Sequence, residues 1–211
     1  MKRLVCLIPL LASLAAAAPA VDRTGDELTV RTARHTATFA ADSGLLHTLA
    51  LADGTPLLVG SRVYNDVLPD GRKSFGPKAT DPAKATPQAD GSVVVEVAGR
   101  LLDAEGNPHP AFPLGYRARY QFDDSAQVRL AVSLVPEFDS EAVYGFAAHI
   151  LSLAAHREFF VNTADGLISE LAATRSTRTY QSEGEPLSME NPYLGVVLQS
   201  GQVVVFRVVG G

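Results

Sequence analysis

Apolar and polar residues alternate in many short runs along the chain, which is the pattern of half-buried β-strands. The clearest runs are Leu114–Phe122 and Gln127–Val135, separated by four turn-forming residues. In the first run every second residue from Tyr116 onward is apolar, and the second run alternates likewise from Val128. The pair therefore predicts a β-hairpin with one face toward a core.

The same pattern predicts strands through the rest of the chain, with Asp-Gly turns such as Asp53-Gly54 and Asp90-Gly91 between them. The other predicted strands are Glu27–Arg31, His35–Phe39, Leu45–Leu51, Arg62–Leu68, Ser92–Gly99, Val143–Ala154, Arg157–Val161, Leu194–Gln199 and Gln202–Val208. Because no long amphipathic helix interrupts them, we expect an all-β, antiparallel β-sandwich that forms a single domain.

Two segments depart from simple alternation. Val143–Ala154 is apolar at nearly every position, so it is either a central strand covered on both faces or a short buried helix. Its β-rich surroundings favour the strand. Arg72–Gln88 contains three prolines and three lysines, which is typical of a long surface loop.

The first twenty residues resemble a secretory signal rather than part of the fold. A basic start at Lys2 and Arg3 precedes an apolar run to Ala18, and Ala18-Pro19-Ala20 supplies the small residues of a cleavage site. The apolar run is shorter than the ~20 residues that span a bilayer. We therefore expect residues 1–20 to be a cleaved signal peptide, residues 21–211 to be the mature domain, and the destination to be the periplasm or exterior of a bacterial cell.

Composition narrows the possible chemistry. Loss of Lys2 and Arg3 lowers the 18 basic residues to 16 against 23 acidic ones, so the net charge falls from −5 to −7. An acidic domain without a basic stretch is a poor nucleic-acid binder. The one cysteine, Cys6, lies in the signal, so the mature chain has no thiolate for a metal site or a nucleophile. We expect no metal and no cofactor, and the sequence leaves the oligomeric state open.

A row of arginines is the strongest candidate binding site. Arg117 and Arg119 lie two residues apart on the polar face of one predicted strand, and Arg129 lies on the next strand. Guanidinium groups arranged in this way can hold a carboxylate, such as that of a uronic acid. An ordinary solvated face is the alternative interpretation. His149 and Tyr144 are weaker candidates for a catalytic base, because His149 lies in the most apolar strand, where a histidine is usually structural.

The order of strands and turns resembles a known group of sugar-active proteins. Its opening is similar to galactose-mutarotase-like β-sandwiches of polysaccharide lyases and glycoside hydrolases, and the later strands resemble the central sandwich of the exo-rhamnogalacturonan lyase (YetA-like) family. The residues that carry the likeness are Glu27–Val30, His35–Phe39, Gly44–Leu46, Asp53-Gly54, Val93–Arg100, Leu114–Tyr120, Gln127–Leu130 and Val132–Leu134. They are strand and turn patterns, and no family catalytic residue can be matched to this chain.

The resemblance implies a secreted, carbohydrate-associated domain that acts on acidic plant polysaccharide. Lyases of that family also carry a helical toroid, which this sequence lacks. The chain ends just after the predicted strand at Val203–Val208, so we expect an N-terminal part of a longer enzyme that is not catalytic alone. Two alternatives remain: a non-enzymatic periplasmic interaction or structural protein, and a mutarotase-like epimerase, which would require a histidine and a carboxylate in one cleft.

Overall fold

The computed structural model describes residues 19–66, 74–138, 146–163, 166–171 and 193–207. The predicted signal peptide up to residue 18 lies outside these ranges. Within them the chain is built from β-strands joined by turns, and no helix there is long and apolar enough to cross a membrane.

The strands follow one another in short succession. They are β1 (Ala20–Thr24), β2 (Glu27–Arg31), β3 (His35–Phe39), β4 (Leu46–Leu51), β5 (Pro56–Asp66), β6 (Ser74–Ala79), β7 (Lys84–Pro87), β8 (Val93–Leu102), β9 (Leu114–Phe122), β10 (Val128–Pro136), β11 (Phe146–Leu153), β12 (His156–Thr163), β13 (Gly166–Leu171), β14 (Tyr193–Leu198) and β15 (Val203–Arg207).

Eleven of the described strands form one antiparallel sheet that folds over on itself. Its path runs β1-β2-β3-β4-β5-β6-β8-β9-β10, with β11 added beside β5 and β7 beside β8. We call β1–β5 with β11 the first leaf, and β6–β10 the second leaf. Side chains from both leaves form a single buried core, so the predicted all-β, sandwich-like fold is confirmed.

Aromatic residues fasten the two leaves together. The ring of Phe39 meets that of Tyr120 edge to face at 5.2 Å, and the backbone amide of Leu46 donates a hydrogen bond to the Tyr120 phenol oxygen at 3.1 Å. The Tyr116 hydroxyl donates to the carbonyl of Ser43 at 2.6 Å. Both phenols thus satisfy their polar atoms inside an otherwise apolar layer.

A smaller sheet follows the first, with strand order β13-β12-β14-β15. It packs through Val196 and Leu198 against Leu57 and Ala154, in a cluster separate from the main core. The backbone amide of Gln199, the residue after β14, also donates to the carbonyl of Ala155 in the turn after β11 at 2.9 Å. Contacts with β5 and with the turn after β11 therefore fix this sheet.

Several sequence-based predictions are confirmed. The hairpin is present with Val128 opposite Phe122, and Tyr116, Tyr120 and Phe122 are buried. The ambiguous apolar segment is a strand, β11, in its described part. The turn glycines Gly54, Gly91 and Gly106 have positive φ angles of 82–89°, as Asp-Gly and Glu-Gly turns require.

The predicted loop over Arg72–Gln88 is wrong in its described part, because β6 and β7 both pair with β8. The prolines are tolerated for local reasons. Pro87 is the last residue of β7, and Pro77 lies beyond the two residues of β6 that pair with β5, so its missing N–H interrupts no ladder there. The position of each proline, rather than the number of prolines, therefore decides whether such a segment can form strands.

Candidate functional site

The arginines lie on the outer face of the second leaf. From Tyr116 onward, buried and more exposed residues alternate along β9, so Arg117 and Arg119 are exposed while Tyr116, Ala118 and Tyr120 enter the core. Cross-strand pairing places Ala98 and Ser133 on either side of Arg117, and Glu96 and Ala131 on either side of Arg119.

Together these residues line a shallow depression of about 500 Å³, which we call the arginine trough. Its lining comes from all four neighbouring strands and from the loop between β6 and β7: Asp81, Pro82, Lys84, Glu96, Val97, Ala98, Arg117, Ala118, Arg119, Ala131 and Ser133. The depression exists because Ala98, Ala131 and Ser133 are small and leave room between the long cationic side chains. A flat ring of sugar size can lie on such a floor while charged groups contact its edge.

The two arginines differ in their surroundings. The Nε of Arg119 lies 4.0 Å from the Oε1 of Glu96, and both side chains are more than half exposed. Arg117 forms no ion pair with any residue that the structure describes. An exposed pair such as Arg119–Glu96 contributes at most about 1 kcal/mol, so a ligand carboxylate can compete for Arg119, and no carboxylate of the described residues competes for Arg117.

Arg129 lies on the same face but outside the trough. It is paired with Gln121, one row further along the sheet, close to the turn carboxylates of Asp90 and Asp123. Hydrogen bonds from Ser92 and Ser125 hold the pKa of these carboxyls below the usual range, and the charge of Arg129 lowers it further. The positive charge of Arg129 therefore acts on the carboxylates of these turns and not on the site formed by Arg117 and Arg119.

Of the two catalytic candidates, the structure describes the backbone of one, His149. Tyr144 lies outside the described residues. His149 belongs to β11, opposite Val63 of β5, and therefore to the first leaf. The trough is on the outer face of the second leaf, on the far side of the core from the first leaf. A base at His149 and a carboxylate held by Arg117 are consequently not brought together.

A second depression, of about 620 Å³, collects residues that sequence reasoning did not associate. It lies where the β3–β4 turn, β4, β5, β6 and β8 meet, and His47, Asp42, Lys78 and Asp103 are among its lining residues. Asp42 is engaged by Lys78, whose Nζ lies 3.6 Å from its Oδ2. A histidine and carboxylates thus do share one cleft, which the sequence alone did not indicate because His47 and Asp103 come from different leaves.

Among the residues described there is no group of three or more histidine, cysteine, aspartate or glutamate side chains able to hold an ion. Asp103 is occupied locally, since its Oδ1 accepts from the backbone amides of Glu105 and Asn107 at 3.1 and 2.7 Å. That loop has the hydrogen bonding of a tight turn.

Lys84, Glu96 and Asp81 were missed as site residues by the sequence analysis. Lys84 lies in the segment predicted as a loop, and its position opposite Glu96 depends on cross-strand register. Spacing along the chain carries no signal for such a pairing.

Comparison with known proteins gives no match: no family model, no curated protein and no solved structure is significantly similar to this chain. The likeness to exo-rhamnogalacturonan lyases and galactose-mutarotase-like sandwiches therefore stays a prediction, and the geometry of the arginine trough has to support a function by itself.

Proposed function

We propose that the protein is a secreted carbohydrate-binding β-sandwich whose arginine trough holds the carboxylate of an acidic oligosaccharide. It would serve as an accessory or N-terminal part of a polysaccharide lyase or hydrolase. The observation that carries the proposal is Arg117, an exposed guanidinium without an ion-pair partner among the described residues, standing above a floor of small side chains.

Guanidinium chemistry suits this role. A planar guanidinium can donate two parallel hydrogen bonds to one carboxylate, which gives both orientation and strength. Arg119 and Lys84 add positive charge within the trough, and Ala98 and Ala131 offer an apolar surface for a sugar ring. Because the trough is open to water, we expect weak binding that falls as salt screens the charges over ~8–10 Å.

The same features argue against cleavage by this chain alone. A lyase needs a base and a charge stabiliser held in one closed site. The trough supplies cations, but it is an open depression rather than a closed site. We therefore propose that the chain binds polysaccharide and that cleavage, where it occurs, uses residues outside it.

The binding proposal is tested by calorimetric titration with oligogalacturonate at low ionic strength. The double variant Arg117→Ala with Arg119→Ala should lose binding and keep its circular dichroism spectrum. The matched control is Arg100→Ala, which removes a cation from the same face but outside the trough, where Arg100 pairs with Glu137 at 3.0 Å. Equal loss in both variants, or unaffected binding in the double variant, would refute the site.

Secretion is a separate part of the proposal and needs its own test. Cleavage after Ala20 would leave Val21 as the first residue, still opposite Val30 in the β1–β2 pair. Mass spectrometry of protein exported from a bacterial host should therefore find a chain that begins at Val21. A full-length mass in the membrane fraction would contradict it.

A second candidate function, a non-enzymatic interaction domain, is favoured by one observation. Val203 and Val205 of β15 are each 56% exposed on one face of a strand that ends the small sheet. Exposed apolar side chains at the end of a sheet are typical of interaction surfaces. This function predicts changes in association on Val203→Lys with Val205→Lys, and no dependence on Arg117.

A further inference from the structure

Strand β10 has a free edge. The path of the larger sheet ends at β10, and among the described strands only β9 pairs with it. The last strand of a sheet leaves a row of backbone N–H and C=O groups unpaired, and proteins usually protect such an edge by a bulge, a short length or a charge that points inward. β10 is nine residues long, pairs with β9 without a register shift and turns apolar side chains toward the core. It can therefore accept another extended chain as a neighbour.

The core-facing side chains become more exposed toward this edge. On β9, Ala118 and Tyr120 are 3% and 0% exposed. Their partners on β10, Val132 and Leu130, are partly buried, and Leu134 is 37% exposed. Apolar side chains of a further strand would cover these three residues of β10 and extend the core.

The outer face beside the edge is cationic. Strands β9 and β10 carry Arg117, Arg119 and Arg129 and no acidic residue. Arg129 lies on the edge strand itself, whereas Ser133 separates Arg117 from the edge and Ala131 separates Arg119 from it. Because Ser133 and Ala131 are small, they leave room for long side chains of an added strand, ~10 Å or two strand spacings from β9, to extend toward the guanidinium groups. Acidic residues at alternate positions of that strand would align with the three arginines.

Two carboxylates of the arginine trough lie on the other side of these arginines. Asp81 follows Thr80, whose backbone amide donates to the carbonyl of Ala98 at 3.0 Å, so Asp81 lies next to the row of Arg117, beyond β8. Glu96 is a residue of β8 itself. Both carboxylates therefore act on the arginines from the β8 side, away from the free edge.

Further carboxylates lie near the two ends of β10. At the β9–β10 turn, Asp90 and Asp123 are close enough to Arg129 for its charge to stabilise their ionised form. At the other end, Glu137 follows the last residue of β10 and forms an ion pair with Arg100 at 3.0 Å. Between these ends, no acidic residue of β10 separates the arginines from the free edge.

From this arrangement we propose that the free edge of β10 binds an extended acidic segment of a partner protein, which joins the sheet as a further strand. Alternate residues of the segment are apolar, toward the partly buried face of β10, and acidic, toward the arginines. Backbone hydrogen bonds supply affinity, and the alternation supplies specificity. A second copy of β10 fits this edge less well, because it would bring three more arginines of its own hairpin to the same face. The role does not depend on sugar binding, since the edge and Arg129 lie outside the trough.

The test uses two capped peptides of nine residues, the length of β10. One alternates valine with glutamate, and the other alternates valine with lysine. Fluorescence anisotropy at low ionic strength should show that the glutamate peptide binds and the lysine peptide does not. Binding should also slow hydrogen exchange at every second amide of β10, because those N–H groups pair with the added strand. Equal binding of the lysine peptide, or unchanged exchange along β10, would overturn the proposal.

Variants locate the edge and separate it from the sugar site. Leu134→Lys places a charge on the inner face of β10 and should abolish peptide binding. The matched control is Val203→Lys, at an exposed valine of β15, the last strand of the small sheet, and it should leave the affinity unchanged. Arg129→Ala should lower the affinity for the glutamate peptide about two- to fivefold, the range for one exposed ion pair, without affecting the binding of oligogalacturonate.

Two measurements decide the outcome even if Leu134→Lys fails to fold. A glutamate peptide methylated at alternate backbone nitrogens cannot pair with the edge and should not bind. If it binds as well as the unmethylated peptide, or if Val203→Lys abolishes binding, strand addition at β10 is refuted. Dimerisation of the protein without peptide, with the β10 amides protected, would assign the edge to a second copy and refute the acidic partner.

Discussion

Strand β9 contributes to two regions of the molecule, the buried core and the exposed arginine trough. They differ in burial and polarity although their residues alternate along one strand. Its inward residues, Tyr116, Tyr120 and Phe122, are at most 1% exposed and join the leaves. Its outward residues, Arg117 and Arg119, are exposed to solvent and line the trough. Because alternation separates the two sets, changes on the inner face should affect stability strongly and changes on the outer face should affect it little.

The largest effect should come from the inner face. Tyr120→Ala removes a fully buried ring that contacts Phe39 and leaves the amide of Leu46 without its acceptor. We expect a loss of about 3–5 kcal/mol in the free energy of unfolding, measured by urea denaturation. Arg119→Ala on the same strand should change it by less than about 0.5 kcal/mol. Similar losses for the two variants would show that the faces are not independent.

A second large effect is expected at Gly99, opposite Tyr116 on the inner face. A Cβ at this position would overlap the Tyr116 ring and the carbonyl of Lys78. Gly99→Val should therefore destabilise the protein by about 1–3 kcal/mol through overpacking. Gly54→Ala is the comparison variant. Gly54 lies in a turn with positive φ, and nothing lies within 4 Å of an added Cβ, so any destabilisation there comes from backbone strain and not from overlap. A Gly99→Val variant as stable as the parent would contradict the described packing of Tyr116.

The pH dependence of stability should expose a buried histidine at the end of the first leaf. Burial, and then the charge of Arg34, lower the pKa of His35 below 6.5, although Asp123 opposes the shift. The unfolded chain therefore binds a proton at a higher pH than the folded chain. The contribution of His35 to the free energy of unfolding is fully present above about pH 6.5 and decreases as the pH falls below that value. It stops changing once the histidine of the folded protein is also protonated.

Urea denaturation between pH 7.5 and 5 measures this effect directly. His35→Leu fills the same buried position without a titrating group, and its stability should vary less over that range. A profile identical to that of the unmodified protein would show that His35 does not cause the dependence.

A smaller effect is expected from the third arginine of the outer face. Arg129 lies by the turn carboxylates Asp90 and Asp123, outside the trough. Arg129→Ala should leave oligosaccharide affinity within about twofold of the parent, since a screened charge outside the site contributes little. It should also move the pKa of Asp90 and Asp123 upward, which carboxyl NMR titration can measure. A loss of binding equal to that of Arg117→Ala would extend the site to Arg129.

The sequence predicted one part of this comparison well. The alternation of apolar and polar residues assigned the two faces of β9 and β10. Successive side chains of a strand point to opposite faces, so the apolar set must be the one that is buried. It was less informative around β6 and β7, where Pro77 and Pro87 suggested a loop although each occupies a position that a strand tolerates.

The composition of the candidate site was harder to foresee. Arg117 and Arg119 are two residues apart in sequence, so their proximity follows from strand geometry. Lys84 and Glu96 reach them only through pairing between distant strands. His47 and Asp103 share a depression for the same kind of reason. Local pattern determines which face a residue occupies, whereas register and leaf packing determine its neighbours.

The central claim is that the outer face of the second leaf binds acidic oligosaccharide, and amide chemical-shift mapping by NMR tests it most directly. Titration with tetragalacturonate should perturb the amides of Lys84, Ala98, Arg117 and Arg119 first, with shifts that shrink as salt is added. Residues lining the other depression, such as His47, should stay unchanged. Perturbations centred on His47, or none at any ligand concentration, would contradict the account.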